Sequence, residues 1–297
     1  MKLTLALAQI NTYLGDVEAN LEKHLALLKE ARASGADLLI FPELSLTGYV
    51  LQDLASTVAH RPAADDPVFR HLLKASHEVD LMVGFVDEDR RHRFFIAAAY
   101  LARGEVIHVH HKVYLPTYGL FDEGRFTRAG DRIRTEEVGE PLCRVGLSIC
   151  EDFWHASLPM IQAQDGAALL VNLAAGPARA PGSAAGLAAI AGWHNMQDTY
   201  ALLGTVAVAF CNRVGNEEGL TFWGGSRLLA PDGSTIAEGP LYEEALLVGS
   251  LETDDLRMQR YGLPLLADER LELVRRELDR IIAERAGLPA PDADTAS

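Results

Sequence analysis

The amino-acid sequence predicts an α/β fold in which helices pack in layers on sheets of mixed strand direction. Short apolar segments with strand periodicity alternate with segments of helical periodicity along the 297 residues. Two tight turns, at 103–104 and 232–233, join neighbouring strands as hairpins. Strands that alternate with helices, together with hairpins, are typical of layered α/β proteins with mixed sheets.

The first elements are a strand, a helix and a second strand. Residues 2–10 alternate leucines with smaller side chains, which is the period of a strand. Asp16 is suited to cap the helix that follows, and Gly35 to end it. An apolar run then breaks at Pro42, which predicts a buried strand whose end carries Glu43.

The same alternation continues along the chain. Further strands are predicted at 80–88, 94–102, 105–112, 142–150, 167–175, 205–215, 226–239 as a hairpin, and 244–252. Helices are predicted at 71–79, 188–203 and 267–287, the last with an apolar stripe of Leu271, Val274, Leu278 and Ile281. Because no linker or internal repeat divides the chain, we expect one domain over residues 1–288 and a disordered tail at 289–297.

Composition restricts the classes of partner and compartment. The formal charge is −15, from 42 acidic and 27 basic residues, which argues against nucleic acid or an anionic membrane as a partner. The N-terminus has too short an apolar stretch for a signal peptide, and no run reaches membrane-spanning length. Three cysteines form no disulfide framework, since Cys143 and Cys150 share one predicted strand and lie roughly 20 Å apart. We therefore expect a cytoplasmic protein.

Three reactive side chains come directly after apolar strands. They are Glu43 in "LLIFPEL", Lys112 in "VIHVHHK" and Cys150 in "GLSICED". Functional groups of layered α/β proteins often project at strand ends, so the three can converge. Taken singly, each also fits an ordinary role as a solvated turn residue, a surface charge or a core side chain.

Chemistry gives the three residues a joint meaning. Cysteine attacks as the thiolate, which a positive neighbour and a nearby base generate. Lys112 is suited to stabilise the thiolate and then an oxyanion, and Glu43 to carry the proton. The carboxylates Glu151 and Asp152 follow Cys150 and raise the pKa of a neighbouring thiol, so we expect Lys112 to supply the compensating charge.

In order and context, these motifs resemble the Glu, Lys, Cys triad of the nitrilase superfamily of carbon-nitrogen hydrolases, over roughly residues 3–250. The resemblance implies a four-layer αββα sandwich with two mixed sheets, assembled as a homodimer or larger homo-oligomer. It also implies a thioester formed from a small amide or nitrile substrate, without metal or other cofactor. Glu123 in "LFDEGRF" matches the family's second glutamate, and the backbone amide of Glu151 matches its second oxyanion donor.

Within the superfamily, "KVYLPTYGLFDEGRF" and "ICEDFW" are most similar to the glutaminase domain of glutamine-dependent NAD synthetase. That likeness implies glutamine as substrate and ammonia passed to a synthetase. The chain ends near residue 297 without the synthetase domain, which argues against a simple transfer of that role and makes the synthetase a separate partner in this alternative. A serine of that family is replaced here by Ala174, within a small-residue stretch at 174–192 that leaves mainly Arg179 for the substrate carboxylate.

We therefore expect a less polar amide or a nitrile, with glutamine as the alternative. Transfer of the acyl group to an amine fits the same triad, and a non-catalytic subunit that assembles with a synthetase is a competing class. The presence of Glu43, Lys112, Cys150 and Glu123 together argues against a non-catalytic subunit.

The candidate substrate-binding residues are Tyr118, Phe121, Phe153, Trp154 and Ala174, for which core packing is the alternative. Strand alternation places His108 and His110 on one face and His111 on the other, so we expect no metal.

Overall fold

A computed structural model describes residues 1–140, 142–178 and 183–287. The predicted tail at 289–297 and Arg179 lie outside the described residues. Six strands form the first sheet: β1 (Lys2–Gln9), β2 (Leu38–Ile40), β3 (Asp80–Glu88), β4 (Phe94–Ala102), β5 (Glu105–His111) and β14 (Ala245–Glu252). Their order across the sheet is β14-β1-β2-β3-β4-β5.

A second sheet and a short ribbon contain the other strands of the described chain. The second sheet consists of β6 (Thr135–Gly139), β7 (Cys143–Ile149), β8 (Leu169–Ala174), β9 (Ala207–Asn212), β12 (Arg227–Leu229) and β13 (Thr235–Glu238), in the order β13-β12-β9-β8-β7-β6. Strands β10 (Val214–Glu217) and β11 (Leu220–Trp223) pair as a two-stranded ribbon. Each large sheet has three parallel strands at its centre, β1-β2-β3 or β7-β8-β9, flanked by antiparallel neighbours. The predicted mixed sheets are confirmed.

The described chain also contains helices, several of which pack on the outer faces of the two sheets. They are α1 (Val17–Ala33), α2 (Pro67–Ala75), α3 (Glu123–Phe126), α4 (Ser157–Gln164), α5 (Ala184–Gly204), α6 (Thr253–Gly262), α7 (Leu265–Asp268) and α8 (Leu271–Arg285). None of the described helices is long and apolar enough to cross a membrane.

The alternation within β1 explains the order of the layers. Leu5 and Leu7 point into a core shared with residues of the second sheet such as Leu147, whereas Ala6 and Ala8 face a second core built with α1 and α2. Helices α4 and α5 cover the opposite face of the second sheet. The architecture is therefore the predicted αββα sandwich, with two sheets packed face to face and helices outside each.

Two of the boundaries that differ from the sequence prediction have clear local reasons. Helix α2 begins at Pro67, four residues before the predicted start, because the Asp66 carboxylate accepts the first free backbone N–H groups and proline suits the first helical position. Strand β2 stops at Ile40, and the chain then turns sharply, with Leu44 in the left-handed region at φ 50°. This turn lifts Glu43 out of the sheet.

The predicted C-terminal helix at 267–287 is present as α8, which begins four residues later at Leu271 after the short α7. Two of the four residues of its apolar stripe are exposed. Leu271 and Leu278 are 44% and 52% exposed. Helices α3, α4 and α6 and strand β6 were not predicted as separate elements. Most of them are short, polar or at the edge of a sheet, where hydrophobic periodicity is weak.

Candidate active site

The ends of three strands converge at the rim where the two sheets meet. Glu43 follows β2 and Lys112 follows β5 in the first sheet, whereas Cys150 follows β7 in the second. The Lys112 Nζ donates to Glu43 Oε1 at 2.7 Å, and both charges are close enough to Cys150 to shift the pKa of its thiol. The structure thus brings together the three residues that the sequence singled out.

Glu43 is held by a hydrogen bond on each carboxylate oxygen. Lys112 binds Oε1, and the backbone N–H of Ala175, just after β8, donates to Oε2 at 2.9 Å. The side chain is fully buried. Burial raises the pKa of Glu43 from its usual 4.5 to about 7, although the positive charge of Lys112 opposes the shift. A carboxyl with that pKa can accept and return a proton near neutral pH.

Lys112 lies between two carboxylates. Its Nζ donates to Glu43 and, at 2.8 Å, to Glu123 Oε1 at the start of α3. Burial alone would lower the pKa of Lys112, but Glu123 and Glu43 outweigh that effect and hold the pKa well above its usual value. The lysine therefore stays positively charged.

A tyrosine that the sequence analysis did not single out supports Glu123. The Tyr49 hydroxyl donates to Glu123 Oε1 at 2.7 Å. The backbone N–H groups of Tyr49 and Val50 bind Glu217 Oε1 at 2.8 and 2.6 Å, and Glu217 also pairs with the buried Arg213 at 2.9 Å. Tyr49 follows no strand or motif in the sequence, so no local signal marks it.

Cys150 begins a 3₁₀ turn over Cys150–Trp154 and has φ 43°, a strained conformation for a residue with a side chain. Burial, followed by the charge of Glu43, raises the pKa of its thiol well above the usual value, and Lys112 lowers it by less. The expected compensation by Lys112 is thus incomplete, because burial and the charge of Glu43 together outweigh it. The resting group is a thiol, and its proton must leave during attack.

The two carboxylates after Cys150 point in different directions. Asp152 is fully buried and accepts hydrogen bonds from His110 and from backbone N–H groups beside Lys112 and Cys150. Glu151 instead reaches the cavity, where the Tyr118 hydroxyl donates to its two oxygens at 3.1 and 3.0 Å. The backbone amide of Glu151 follows the nucleophile directly in the turn.

A cavity of about 250 Å³ opens on Cys150. Its described lining comprises Tyr118, Phe121, Cys150, Glu151, Trp154, Gly176, Pro177, Ala189 and Trp193. The small-residue stretch therefore contributes to the wall, both through the loop after β8 and through α5. Phe153 and Ala174 are fully buried and are not among the described lining residues, and the Phe153 ring packs against Tyr200 with ring centroids 5.3 Å apart.

The three histidines before Lys112 have three different partners. His108 Nδ1 lies 3.4 Å from Glu136, His110 Nε2 lies 2.8 Å from Asp152, and His111 Nε2 lies 2.7 Å from Asp87. Among the described residues, no group of three or more His, Cys, Asp or Glu side chains is arranged to hold a metal ion.

Fold and site define a carbon-nitrogen hydrolase. The carbon-nitrogen hydrolase family model matches residues 4–261, and the chain belongs to that family. Among curated proteins, it is 34% identical over 265 residues to the glutamine-dependent NAD(+) synthetase of Thermotoga maritima, a match that covers 86% of this chain and 43% of that protein. The corresponding protein of Aquifex aeolicus is 31% identical over 263 residues, covering 87% of this chain and 44% of the relative. The chain thus spans less than half the length of these two relatives.

Solved structures of similar fold include a mutant of the amidase from Nesterenkonia sp. AN1, in which acrylamide has added at the active-site cysteine. The TM-score is 0.75 at 25% identity, and the match covers 92% of this chain and 98% of the amidase. A carbon-nitrogen hydrolase from Helicobacter pylori G27 superposes with a TM-score of 0.80 at 20% identity, over 94% of this chain and 99% of the other, and shows the shared fold.

Proposed function

We propose that this carbon-nitrogen hydrolase cleaves a carboxamide through a thioester on Cys150. The observation that carries the proposal is the buried cluster beside the Cys150 thiol, in which the Glu43 carboxyl has a pKa of about 7 and Lys112 lies 2.7 Å from it. A base poised near neutral pH beside a thiol, at the base of a cavity, is the arrangement that nucleophilic catalysis by cysteine requires.

In the first half-reaction, Cys150 Sγ bonds to the amide carbon while the thiol proton moves to Glu43. The carbonyl oxygen becomes an oxyanion, for which Lys112 Nζ and the backbone N–H of Glu151 are the donors. Glu43 then gives its proton to the nitrogen, the carbon-nitrogen bond breaks, and ammonia or an amine leaves. The acyl group remains on Cys150 as a thioester.

In the second half-reaction, water attacks the thioester and loses a proton to Glu43. The carbon-sulfur bond breaks, and the proton returns to sulfur as the carboxylic acid leaves. Glu43 therefore carries a proton twice per turnover, and Lys112 stays charged throughout.

The aromatic part of the cavity favours small, weakly polar acyl groups. Tyr118, Phe121, Trp154 and Trp193 line the cavity that opens on Cys150, and its volume of about 250 Å³ suits a small amide or nitrile.

Glutamine hydrolysis, with ammonia supplied to a separate synthetase, is the second candidate. The Glu151 carboxylate in the cavity wall favours it, because a carboxylate is a natural partner for the α-ammonium group of glutamine. The relatives from Thermotoga and Aquifex bear the name of a glutamine-dependent synthetase, which supports this candidate as well.

Intact-protein mass spectrometry after brief incubation with propionamide, propionitrile or glutamine tests the chemistry. We expect an acyl adduct and ammonia release in the native protein and neither in Cys150→Ala. Ammonia release by Cys150→Ala at the native rate would refute the proposal. The variant Glu151→Gln separates the two substrates, because it should reduce kcat/KM for glutamine and spare that for propionamide.

A further inference from the structure

We infer that Asp152 is a positioning residue, which fixes the backbone after Lys112 relative to the turn that begins at Cys150. The inference rests on the proposed function, because it takes Lys112 and Cys150 as the groups that must be aligned. Asp152 is not among the described residues that line the cavity at Cys150, so its effect on catalysis passes through the residues that it holds.

The Asp152 carboxylate binds both segments at once. Its Oδ1 accepts the backbone N–H groups of Val113 and Tyr114, directly after Lys112, at 2.9 and 3.0 Å. Its Oδ2 accepts the N–H of Ile149, directly before Cys150, at 2.9 Å. One fully buried side chain therefore ties the end of β5 to the end of β7.

The turn at the nucleophile depends on this carboxylate. Cys150 has φ 43°, and a residue with a Cβ keeps such a conformation only where its surroundings fix it. The bond from Ile149 N–H to Asp152 closes the turn across Cys150, in the manner of a side chain that caps the backbone amide three residues before it.

The relative position of these two segments matters because the reacting groups come from different sheets. Glu43 and Lys112 belong to the first sheet, and Cys150 to the second. Lys112 Nζ is fixed by Glu43 and Glu123, so any movement of the cysteine turn changes the distance from Sγ to the oxyanion donor. Misplacement by about 1 Å can cost about 10²-fold in rate.

His110 orients the carboxylate from the lysine side. Its side chain is 2% exposed, and Nε2 donates to Asp152 Oδ2 at 2.8 Å. Because His110 lies two residues before Lys112, this bond adds a further link between the same two segments.

The decisive variant is Asp152→Asn, which keeps the shape of the side chain and loses one acceptor oxygen. We expect kcat for the amide to fall by about 10²-fold, with KM changed by less than about threefold. Alkylation of Cys150 by iodoacetamide should slow as well, and that measurement reports the thiol without turnover.

Asp66→Asn is the matched control. Asp66 likewise accepts from a histidine, His60 Nδ1 at 2.9 Å, and from the backbone N–H groups of Val68 and Phe69 at 2.9 and 3.0 Å. It lies at the start of α2, so its loss should lower the melting temperature without changing kcat. Equal retention of kcat by Asp152→Asn and Asp66→Asn would overturn the inference.

A second pair of variants covers the case in which Asp152→Asn does not fold. His110→Gln keeps an N–H donor for Asp152, whereas His110→Ala removes it, so His110→Gln should retain more of kcat at equal melting temperature. Equal kcat in the two variants would contradict the positioning role. Persistent turnover in Cys150→Ala would instead refute the proposed function, so the two failures are distinguishable.

Discussion

A single lysine serves three acidic groups in the catalytic cluster. Lys112 contacts Glu43 and Glu123, and its charge also acts on the thiol of Cys150. Burial makes each negative charge costly, so one positive charge cannot keep all three groups ionised at neutral pH. Burial is the main cause of the raised pKa values of Glu43 and Cys150, and the charge of Lys112 offsets it only in part. These pKa values define which proton moves during the reaction.

The pKa of Glu43 predicts the acid limb of the pH profile. Below about pH 7 the Glu43 carboxyl is protonated and cannot accept the thiol proton, so kcat/KM for a neutral amide should fall as the pH is lowered. Steady-state ammonia release between pH 5 and 9 measures the limb, and a midpoint near 4.5, the usual value for glutamate, would contradict it. The rate of Cys150 alkylation should follow the same limb if Glu43 is the base.

Replacement of Lys112 with methionine should impair both catalysis and folding. It removes an oxyanion donor, for which a loss of about 10²–10³-fold in kcat is expected. It also leaves Glu43 and Glu123 buried without their cation, which should lower the free energy of unfolding by about 3–5 kcal/mol. Urea denaturation and ammonia release measure the two effects.

Lys23→Met is the control for the lysine substitution. Lys23 pairs with Glu244 at the surface, where the lysine and glutamate side chains are 24% and 49% exposed. Its loss should cost at most about 1 kcal/mol and leave kcat unchanged. If Lys112→Met changed kcat and the free energy of unfolding as little as Lys23→Met, the buried cluster would not depend on the charge of Lys112.

At the scale of elements, the position of Glu43 depends on a close approach between its turn and β3. A Cβ on Gly84 would lie 2.4 Å from the carbonyl oxygen of Pro42 and 2.5 Å from the backbone nitrogen of Leu44. Glycine at position 84 therefore allows the turn that carries Glu43 to pack against the sheet.

Gly84→Ala should displace that turn. We expect a loss of about 1–3 kcal/mol of stability from overpacking, together with a fall in kcat that exceeds the loss of folded protein. Gly262→Ala, where a Cβ would meet no atom within 4 Å, is the matched control and should change neither stability nor kcat appreciably. Native kcat in folded Gly84→Ala would show that the turn tolerates displacement.

How much the sequence predicts differs from one element to another. Strands β3 and β4 match their predicted ranges because their apolar runs end at polar residues or a tight turn. Strand β2 is shorter than its apolar run, because buried turns can be as apolar as strands. Tyr49 and Asp152 escaped prediction as parts of the site, since their roles depend on contacts with residues far away in the sequence.

For the whole molecule, the site exists only when the two sheets are packed together. Glu43 comes from the first sheet, yet its Oε2 accepts from Ala175 after β8 of the second. Cys150 in turn is surrounded by charges from the first sheet. Activity should therefore disappear in the same transition in which the two sheets separate, since neither sheet alone carries the complete set of catalytic groups.

An exposed apolar face predicts self-association. Described residues of α4, α5 and α7, among them Met160, Leu203 and Leu265, line a surface cavity of about 390 Å³, and α8 continues from it with exposed apolar residues. We expect a second copy of the chain to cover this face, since paired helical layers of two copies would bury both stripes. This expectation agrees with the dimer implied by the resemblance to the nitrilase superfamily.

Size-exclusion chromatography with light scattering tests the assembly. The native protein should have a molar mass of at least twice the chain mass of 32.3 kDa. Leu278→Glu should lower the measured mass toward that of a single chain, because a buried, unpaired carboxylate opposes association. Leu54→Glu is the control, since Leu54 is similarly exposed at 40% but lies in the 3₁₀ turn Gln52–Ser56, outside α4, α5, α7 and α8. A native protein that stays monomeric at micromolar concentration would mean that the apolar face meets a different partner. A dimer unaffected by Leu278→Glu would place the interface elsewhere on the molecule.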